Sequence, residues 1–435
     1  MNVAVIGYGR QGQSAAEYWH KKGASITVCD QKENIQLPGW ITPKLGPDHL
    51  KNLDVFDLII RSPIVHPAII VKENSPGILT KVTSTTNEFL SVCPTKNIIG
   101  VTGTKGKGTT STLIAKILEA DGKKVHLGGN IGLDPLLLLK NNIQKNDWVV
   151  LELANFQLID LKKSTHIAVC LMVDVEHLDW HQDFEEYIDS KQQLFINQTK
   201  NDIAIYYPKN GYSISIASAS QGIQIPYLQK PGAYIENDQL CIEDQIICDV
   251  SDIKLIGKHN WQNVCAAVTA VWQITHNIQS IKKAISAFSG LPHRIEFVSK
   301  KNGVSFYNDS FATGQGATIA AINAIKEPKV LILGGHDREL ELDNLFDEIK
   351  AHKQDISTCI LIGATSIKLA EGIRNTGLVN YEVSNAKTMK EIVELAYSRA
   401  NNGDSVVFSP GFASFDMFDN FEDRGDQFRE QVLAL

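Results

Sequence analysis

Short runs of apolar and β-branched residues recur along the chain, each separated from the next by a helix-like or turn-rich stretch. NVAVI at 2–6, SITVC at 25–29 and FDLII at 56–60 open the series. This alternation is that of a parallel sheet with crossover helices, and it predicts a first, Rossmann-like α/β domain over residues 1–93. A second series starts with NIIGV at 97–101, continues through DWVVLE at 147–152 and IAVCLMV at 167–173, and closes on the helical segment HNWQNVCAAVTAVWQIT at 259–275. It predicts a central parallel-sheet domain over 94–290. Within it, residues 203–250 mix short β-like runs with turn residues, which predicts a small antiparallel excursion. GLPHR at 290–294 reads as a junction. Beyond it VSFY (304–307), KVLIL (329–333), TCILI (358–362) and SVVF (405–408) alternate with helical stretches, predicting a C-terminal Rossmann-like α/β domain over 291–435.

Composition agrees with this division. At roughly 150 residues per domain, a chain of 435 residues holds about three. Hydrophobic residues at 43% and charged residues at 21% are ordinary for globular domains and exclude disorder. The 42 basic and 49 acidic residues leave a net charge of -7 without a long basic run, so the chain has no general electrostatic pull toward nucleic acid or anionic lipid, local basic pockets aside. The opening MNVAVIGYGRQG lacks a basic leader and breaks at Gly7, and no apolar stretch is long enough to span a bilayer. A cytoplasmic monomer with no nucleic-acid or membrane partner is expected. Seven cysteines form an odd set with no CxxC, which makes them small core residues rather than disulfides or a zinc cluster.

The chemistry begins at GVTGTKGKGTT, residues 100–110, which reads as a strand, a phosphate-cradling loop and a helix. Gly103, Gly106 and Gly108 let the backbone turn its N–H groups toward phosphate oxygens, and Lys107 supplies a point charge. Thr109 or Thr110 offers a hydroxyl to Mg²⁺. The usual loop has that hydroxyl directly after the lysine; here Gly108 intervenes, and Thr109 is preferred. Thr104 and Lys105 complete the loop, and ATP is the expected ligand. Glu152 ends an apolar strand, where ligands gather in open parallel sheets, and His177 follows another with Glu176, Asp179 and His181 close by. GYGRQG at 7–12 has dinucleotide-fingerprint spacing, with Asp30 closing the next strand. It fits a nicotinamide cofactor or any nucleotide diphosphate resting on a helix N-terminus.

Taken in order, GTKGKGTT, GGNIG (128–132), ELANFQL (152–158), EHLDWH (176–181), GKHNWQN (257–263), GLPHRIE (290–296), YNDSFATG (307–314), GGHDR (334–338) and SPGFASFDMFDNFEDRG (409–425) resemble the Mur ligase family. These are the ATP-dependent amino-acid ligases of peptidoglycan precursor synthesis. GLPHR followed by NDS, and the C-terminal series, look most like members that add D-glutamate to UDP-N-acetylmuramoyl-L-alanine.

The resemblance implies that Lys107 contacts ATP phosphates, that Glu152 and His177 hold Mg²⁺, and that Lys191 is carbamylated and supports a second Mg²⁺. It makes Asn260, Asn263, Arg294 and Asp309 ATP-site residues. Gly9, Arg10, Gln11, Asp30 and Asn130 would hold the UDP-sugar, and Thr313, Arg338, Ser414 and Phe421 the incoming amino acid. Lys107, His177, Lys191 and Arg338 would act in catalysis. Three positions depart from the pattern. Phe311 stands where a lysine is common, which leaves the identity and stereochemistry of the amino acid open, L-glutamate included. Met172 and Glu176 replace an asparagine and an aspartate. The GKGTT form also resembles folylpolyglutamate synthases, which lack such an N-terminal domain, while a nicotinamide dehydrogenase would leave the phosphate loop idle.

Overall fold

The computed structural model describes residues 1–257, 259–337, 340–378 and 380–435, with the side chain of His259 also outside the description. In the first sheet β1 (Asn2–Ile6), β2 (Ser25–Asp30), β3 (Ile41–Leu45), β4 (Leu58–Arg61) and β5 (Val82–Thr83) run parallel in the order β3-β2-β1-β4-β5. Successive side chains alternate faces. Val3, Val5, Ile26 and Val28 therefore enter one buried cluster, and Ala4, Ile6, Cys29 and Ile59 another. The helix Arg10–Lys21 covers the first of these with Ala15, Ala16 and Trp19. A Cβ on Gly12 would collide with the Gly7 carbonyl, so glycine lets this helix start close to the end of β1. Winding reverses between β1 and β4, which opens a crevice at their C-terminal ends.

The central sheet contains β6 (Ile98–Thr102), β7 (Val125–Gly129), β8 (Trp148–Glu152), β9 (Ile167–Cys170), β10 (Ile203–Tyr206) and β11 (Ile223–Pro226), all parallel, in the order β11-β10-β9-β6-β8-β7. The antiparallel excursion expected over 203–250 is smaller than that span. β10 and β11 belong to the parallel sheet, and only β12 (Ala233–Glu236), β13 (Gln239–Ile242) and β14 (Gln245–Asp249) form the antiparallel meander. The polar residues near 210 mark a helix start rather than a hairpin: Asn210 caps Gly211–Ser218 by accepting the Ser213 N–H.

The last sheet is mixed: β15 (Glu296–Lys301), β16 (Val304–Asn308), β17 (Lys329–Gly334), β18 (Ile356–Ile362), β19 (Tyr381–Val383) and β20 (Ser405–Phe408), in the order β15-β16-β20-β17-β18-β19. Only β15 is antiparallel to its neighbour. Leu331, Leu333, Leu361 and Val407 face one helical layer, and Val330, Ile332, Ile360 and Val406 face the other.

The chain divides into two compact units, one made of Met1–Ile253 and His259–Ala287, the other built on Phe288–Leu435. The first two sheets share a unit and a core: the cluster holding Val5 and Ala16 continues into Leu136, Leu138 and Leu151. All seven cysteines are free, and six are buried. Among the described residues no helix is long and apolar enough to cross a membrane.

Candidate functional site

β6 is buried between β8 and β9 and delivers the chain to the glycine loop at the C-terminal edge of the central sheet. The helix Lys107–Ala120 follows, with Gly106 at its N-cap in the left-handed region, φ +88°. A Cβ on Gly106 would run into Asn263 Oδ1, so glycine is required there on two counts. Asn263 belongs to the helix His259–Trp272; its Nδ2 donates to Asn260 Oδ1 at 2.8 Å, and its Oδ1 lies 3.5 Å from Thr110 Oγ1. The structure thus brings Asn260 and Asn263 to the phosphate loop. Thr110 is buried against Asn263, Gly108 is buried beside it, and Thr109 keeps partial exposure. Lys107 Nζ donates to the Gly103 and Thr104 carbonyls at 3.0 and 2.8 Å, folding back over the loop, and Lys105 is exposed. Thr104 Oγ1 accepts the Asp174 N–H and lies 2.8 Å from the Tyr187 hydroxyl.

Glu152 ends β8 and is 3% exposed. Asn130 Nδ2 donates to its Oε1 at 2.9 Å, whereas Oε2 is buried with no hydrogen-bond partner among the described residues. A buried carboxylate oxygen left without a donor is costly, and a cation relieves it. The site therefore fits a hard divalent ion. Lys191, in the last turn of the helix Phe184–Gln192, is 1% exposed, with Nζ 3.2 Å from the Gly103 carbonyl and 4.3 Å from the Tyr187 ring centre. Burial, seconded by the charge of Lys107, pulls its pKa down to about 7. A sizeable fraction of this amine is therefore neutral and nucleophilic near neutral pH. His177 sits at φ +59°, its ring 4.7 Å from that of Phe156. Burial lowers its pKa against the opposing pull of Glu176 and Asp179, which favours the neutral, ligating imidazole.

At the first sheet, Gly9 is the N-cap of Arg10–Lys21, and Gln11 lines the crevice with Gly12, Ile60, Arg61, Ser62 and Thr85. Asp30 accepts the backbone N–H groups of Tyr8 and Lys32 at 2.8 and 2.9 Å, so it shapes the loop. An Arg10 Nη2–H donates to the Gly132 carbonyl, which draws the GGNIG stretch toward the crevice. Asn130, expected with this group, instead spends its side chain on Glu152.

In the second unit Asp309 is buried with both oxygens engaged: Oδ1 accepts the Ile295 N–H and Oδ2 the Ser409 hydroxyl at 2.6 Å. Burial raises its pKa to about 7. The guanidinium carbon of Arg294 lies 3.6 Å above the Phe311 ring, which meets Phe421 edge-on at 5.1 Å. Thr313 is half-buried after β16, and Ser414 is buried. Arg338 lies outside the described residues. Arg424 escaped notice as a functional position, yet it is buried and donates to Ser310 Oγ, the Ser310 carbonyl and the Phe412 carbonyl, fixing the NDS segment. Its place in EDRG was the available signal. His66 and Glu186 were also missed, and no local pattern announces them.

Comparison with known proteins agrees with this geometry. The Mur ligase middle domain model matches residues 101–271, and the Mur ligase, glutamate ligase domain model matches residues 293–412. The chain is 35% identical to the UDP-N-acetylmuramoylalanine--D-glutamate ligase of Clostridium tetani, over 100% of this chain and 96% of that one. It is 37% identical to the enzyme of the same name from Clostridium kluyveri, over 99% and 96%. Among solved structures, UDP-N-acetylmuramate-alanine ligase MurC from Thermotoga maritima superposes with a TM-score of 0.62 at 15% identity, covering 100% of this chain and 99% of that one. MurF ligase from the same organism, in complex with ADP, gives 0.60 at 16% identity, covering 99% and 95%. At these identities the structural likeness speaks for the fold.

Proposed function

The chain belongs to the Mur ligase family, and on that premise we propose that it adds D-glutamate to UDP-N-acetylmuramoyl-L-alanine in the cytoplasmic stage of peptidoglycan precursor synthesis. It is an ATP-dependent acid–amino-acid ligase. In the proposed reaction the alanyl carboxylate attacks the γ-phosphorus of ATP, ADP leaves, and an acyl phosphate forms. The glutamate amine then attacks the acyl carbon, loses a proton, and expels phosphate. The observation that carries this reading is the meeting, at the C-terminal edge of the central sheet, of a glycine phosphate loop with a buried carboxylate oxygen that lacks a hydrogen-bond partner among the described residues.

The loop amides from Gly103 to Gly108 would cradle the phosphates, and Lys107 would exchange its loop carbonyls for the transferred group. Thr109, Glu152, His177 and Lys191, the last as its carbamate, are the residues that would hold two Mg²⁺ ions. When bound, these ions supply charge neutralisation at the phosphate oxygens. Asn130 orients Glu152. Arg10, Gln11 and the Asp30-shaped loop support binding of the UDP moiety at the first-sheet crevice. Arg294 and Asp309 are assigned to ATP, and Thr313, Arg338, Ser414 and Phe421 to the amino acid.

Phosphate release is the test, with ATP, Mg²⁺ and UDP-N-acetylmuramoyl-L-alanine and a screen of amino acids led by D- and L-glutamate. Release that requires acceptor and D-glutamate together is expected; failure of every amino acid overturns the reading. A second reading, the same chemistry with L-glutamate or another amino acid, is favoured by Phe311, whose ring offers no charge to a carboxylate. The same screen separates the two.

A further inference from the structure

One carboxylate oxygen in the first unit collects donors from several segments of chain. Glu186 Oε2 lies 3.0 Å from His66 Nε2, 3.1 Å from His181 Nδ1 and 2.9 Å from the Gln182 amide nitrogen. Ligand atoms of His66, His181 and Glu186 fall within 4.8 Å of one another, close enough for a metal site. The proton inventory argues otherwise. His66 Nδ1 accepts the Ala68 N–H at 3.1 Å, so its own proton sits on Nε2 and points at Glu186. His181 Nε2 faces the Asn155 amide nitrogen at 2.7 Å, which likewise leaves its proton on Nδ1, toward Glu186. Both rings donate to the carboxylate, so neither ring turns a lone pair toward the cluster.

What this carboxylate holds is the segment 174–183, which has no helix or strand of its own. The segment carries His177, whose carbonyl accepts the N–H groups of Trp180 and His181 at 3.1 and 3.0 Å. Trp180 in turn donates its indole N–H to the Ile64 carbonyl at 2.8 Å and packs edge-on against His66 and Phe156. Ile64 and His66 follow β4, whose end lines the first-sheet crevice with Arg61 and Ser62.

We propose that Glu186 is a positioning residue of the ligase: through His181 it fixes the turn that aims His177, and through His66 it ties that turn to the segment after β4. The crevice wall and the metal-ligand turn are thereby held as one piece. The proposal rests on the reading of His177 as a metal ligand.

Binding of Mn²⁺ in the presence of ATP, followed by the electron paramagnetic resonance of free Mn²⁺ on the full chain, tests it. Glu186→Gln, which keeps the shape but loses the charge, is expected to weaken Mn²⁺ binding about 10- to 100-fold. It should also raise the KM for MgATP, with kcat recovered at excess Mg²⁺. Parent-like Mn²⁺ affinity in this variant overturns the positioning role, provided that His177→Ala weakens binding. If His177→Ala binds Mn²⁺ as the parent does, the metal-ligand reading itself falls, and the proposal with it. Should Glu186→Gln not fold, Trp180→Phe carries the test, since it deletes the indole N–H to Ile64 and leaves Glu186 and both histidines in place; weakened Mn²⁺ binding supports the proposal and parent affinity overturns it.

Discussion

Asn130 and Glu152 are bonded twice: the Asn130 amide N–H donates to the Glu152 carbonyl at 2.8 Å, and its Nδ2 donates to Oε1 at 2.9 Å. The pairing follows from the sheet. β7 lies beside β8, so the chain leaving Gly129 passes the end of β8. One carboxylate oxygen is thereby oriented, and the other has no hydrogen-bond partner among the described residues. Glu152→Gln should keep the fold and lower ligation by about 10²-fold or more, as loss of an aimed charge does in a dry site. Asn130→Ala should weaken Mg²⁺ affinity about 10- to 100-fold, because an outer partner orients its ligand. Steady-state rates against Mg²⁺ concentration check both. Unchanged Mg²⁺ dependence in Asn130→Ala would return this residue to the UDP-sugar.

The carbamate proposed for Lys191 can be tested directly. The Lys191 amine is buried, its pKa is brought down to about 7, and its Nζ donates to the neutral Gly103 carbonyl at 3.2 Å. A cation gains little there, while a carbamate would carry the charge that a metal needs. Enzyme in ¹³C-bicarbonate with Mg²⁺ and ATP should show one protein-bound carbamate signal, absent from Lys191→Ala. Activity of the parent should fall when carbon dioxide is removed. A missing signal in active enzyme would refute the assignment.

Legibility in the sequence tracked how local each cause is. The runs from Asn2, Ile98 and Lys329 are apolar because their strands are covered on both faces, and they could be read directly. β3 was hidden by Pro43 and β7 by its two glycines, both of which read as breaks. The hairpin between β15 and β16 turns on Asn302 and Gly303, both with positive φ. Asn-Gly is a strong hairpin signal that went unread. Within the site, the phosphate loop is one contiguous motif, and its strand, turn and helix could be read directly. The Glu186 clamp joins positions 120 residues apart, and Arg424 reaches Ser310 across 114. Such contacts belong to the tertiary fold and leave no spacing to find.

Asp309 makes stability depend on pH. Its carboxyl group has a folded-state pKa of about 7 against an ordinary value of 3.8, because burial disfavours the anion more than Ser409, the Ile295 N–H and the two nearby arginines favour it. The folded chain therefore holds this proton more tightly than the unfolded chain. The resulting stability is complete below about pH 4 and is lost as pH rises through about 7, on the order of a few kcal/mol at most. Asp309→Asn keeps an acceptor for Ile295 and has no proton to lose. Its thermal midpoint should gain on that of the parent between pH 5 and pH 8. Parallel pH profiles would show that Asp309 is ionised throughout.

Phe311 touches one residue assigned above to ATP and one assigned to the amino acid. The guanidinium carbon of Arg294 lies over the ring at 3.6 Å, and Phe421, the first residue of the last helix, meets it edge-on. A cation over an aromatic face is worth about 1 kcal/mol when part-exposed, or roughly fivefold in an equilibrium constant. Phe311→Leu keeps the apolar bulk and removes the π face, so the KM for ATP should rise about fivefold with little change in kcat. An unchanged KM would mean that the ring does not hold Arg294 for the nucleotide. Phe311→Lys sets a second cation beside the guanidinium and should raise the KM for ATP further, since like charges repel across so short a gap. In that variant the amino-acid KM separates the two readings of the substrate. If the ammonium meets the side-chain carboxylate of glutamate, the KM for glutamate falls even as that for ATP climbs. If both rise together, Phe311 serves the nucleotide side alone, and selection of the amino acid rests on residues outside the ring's reach.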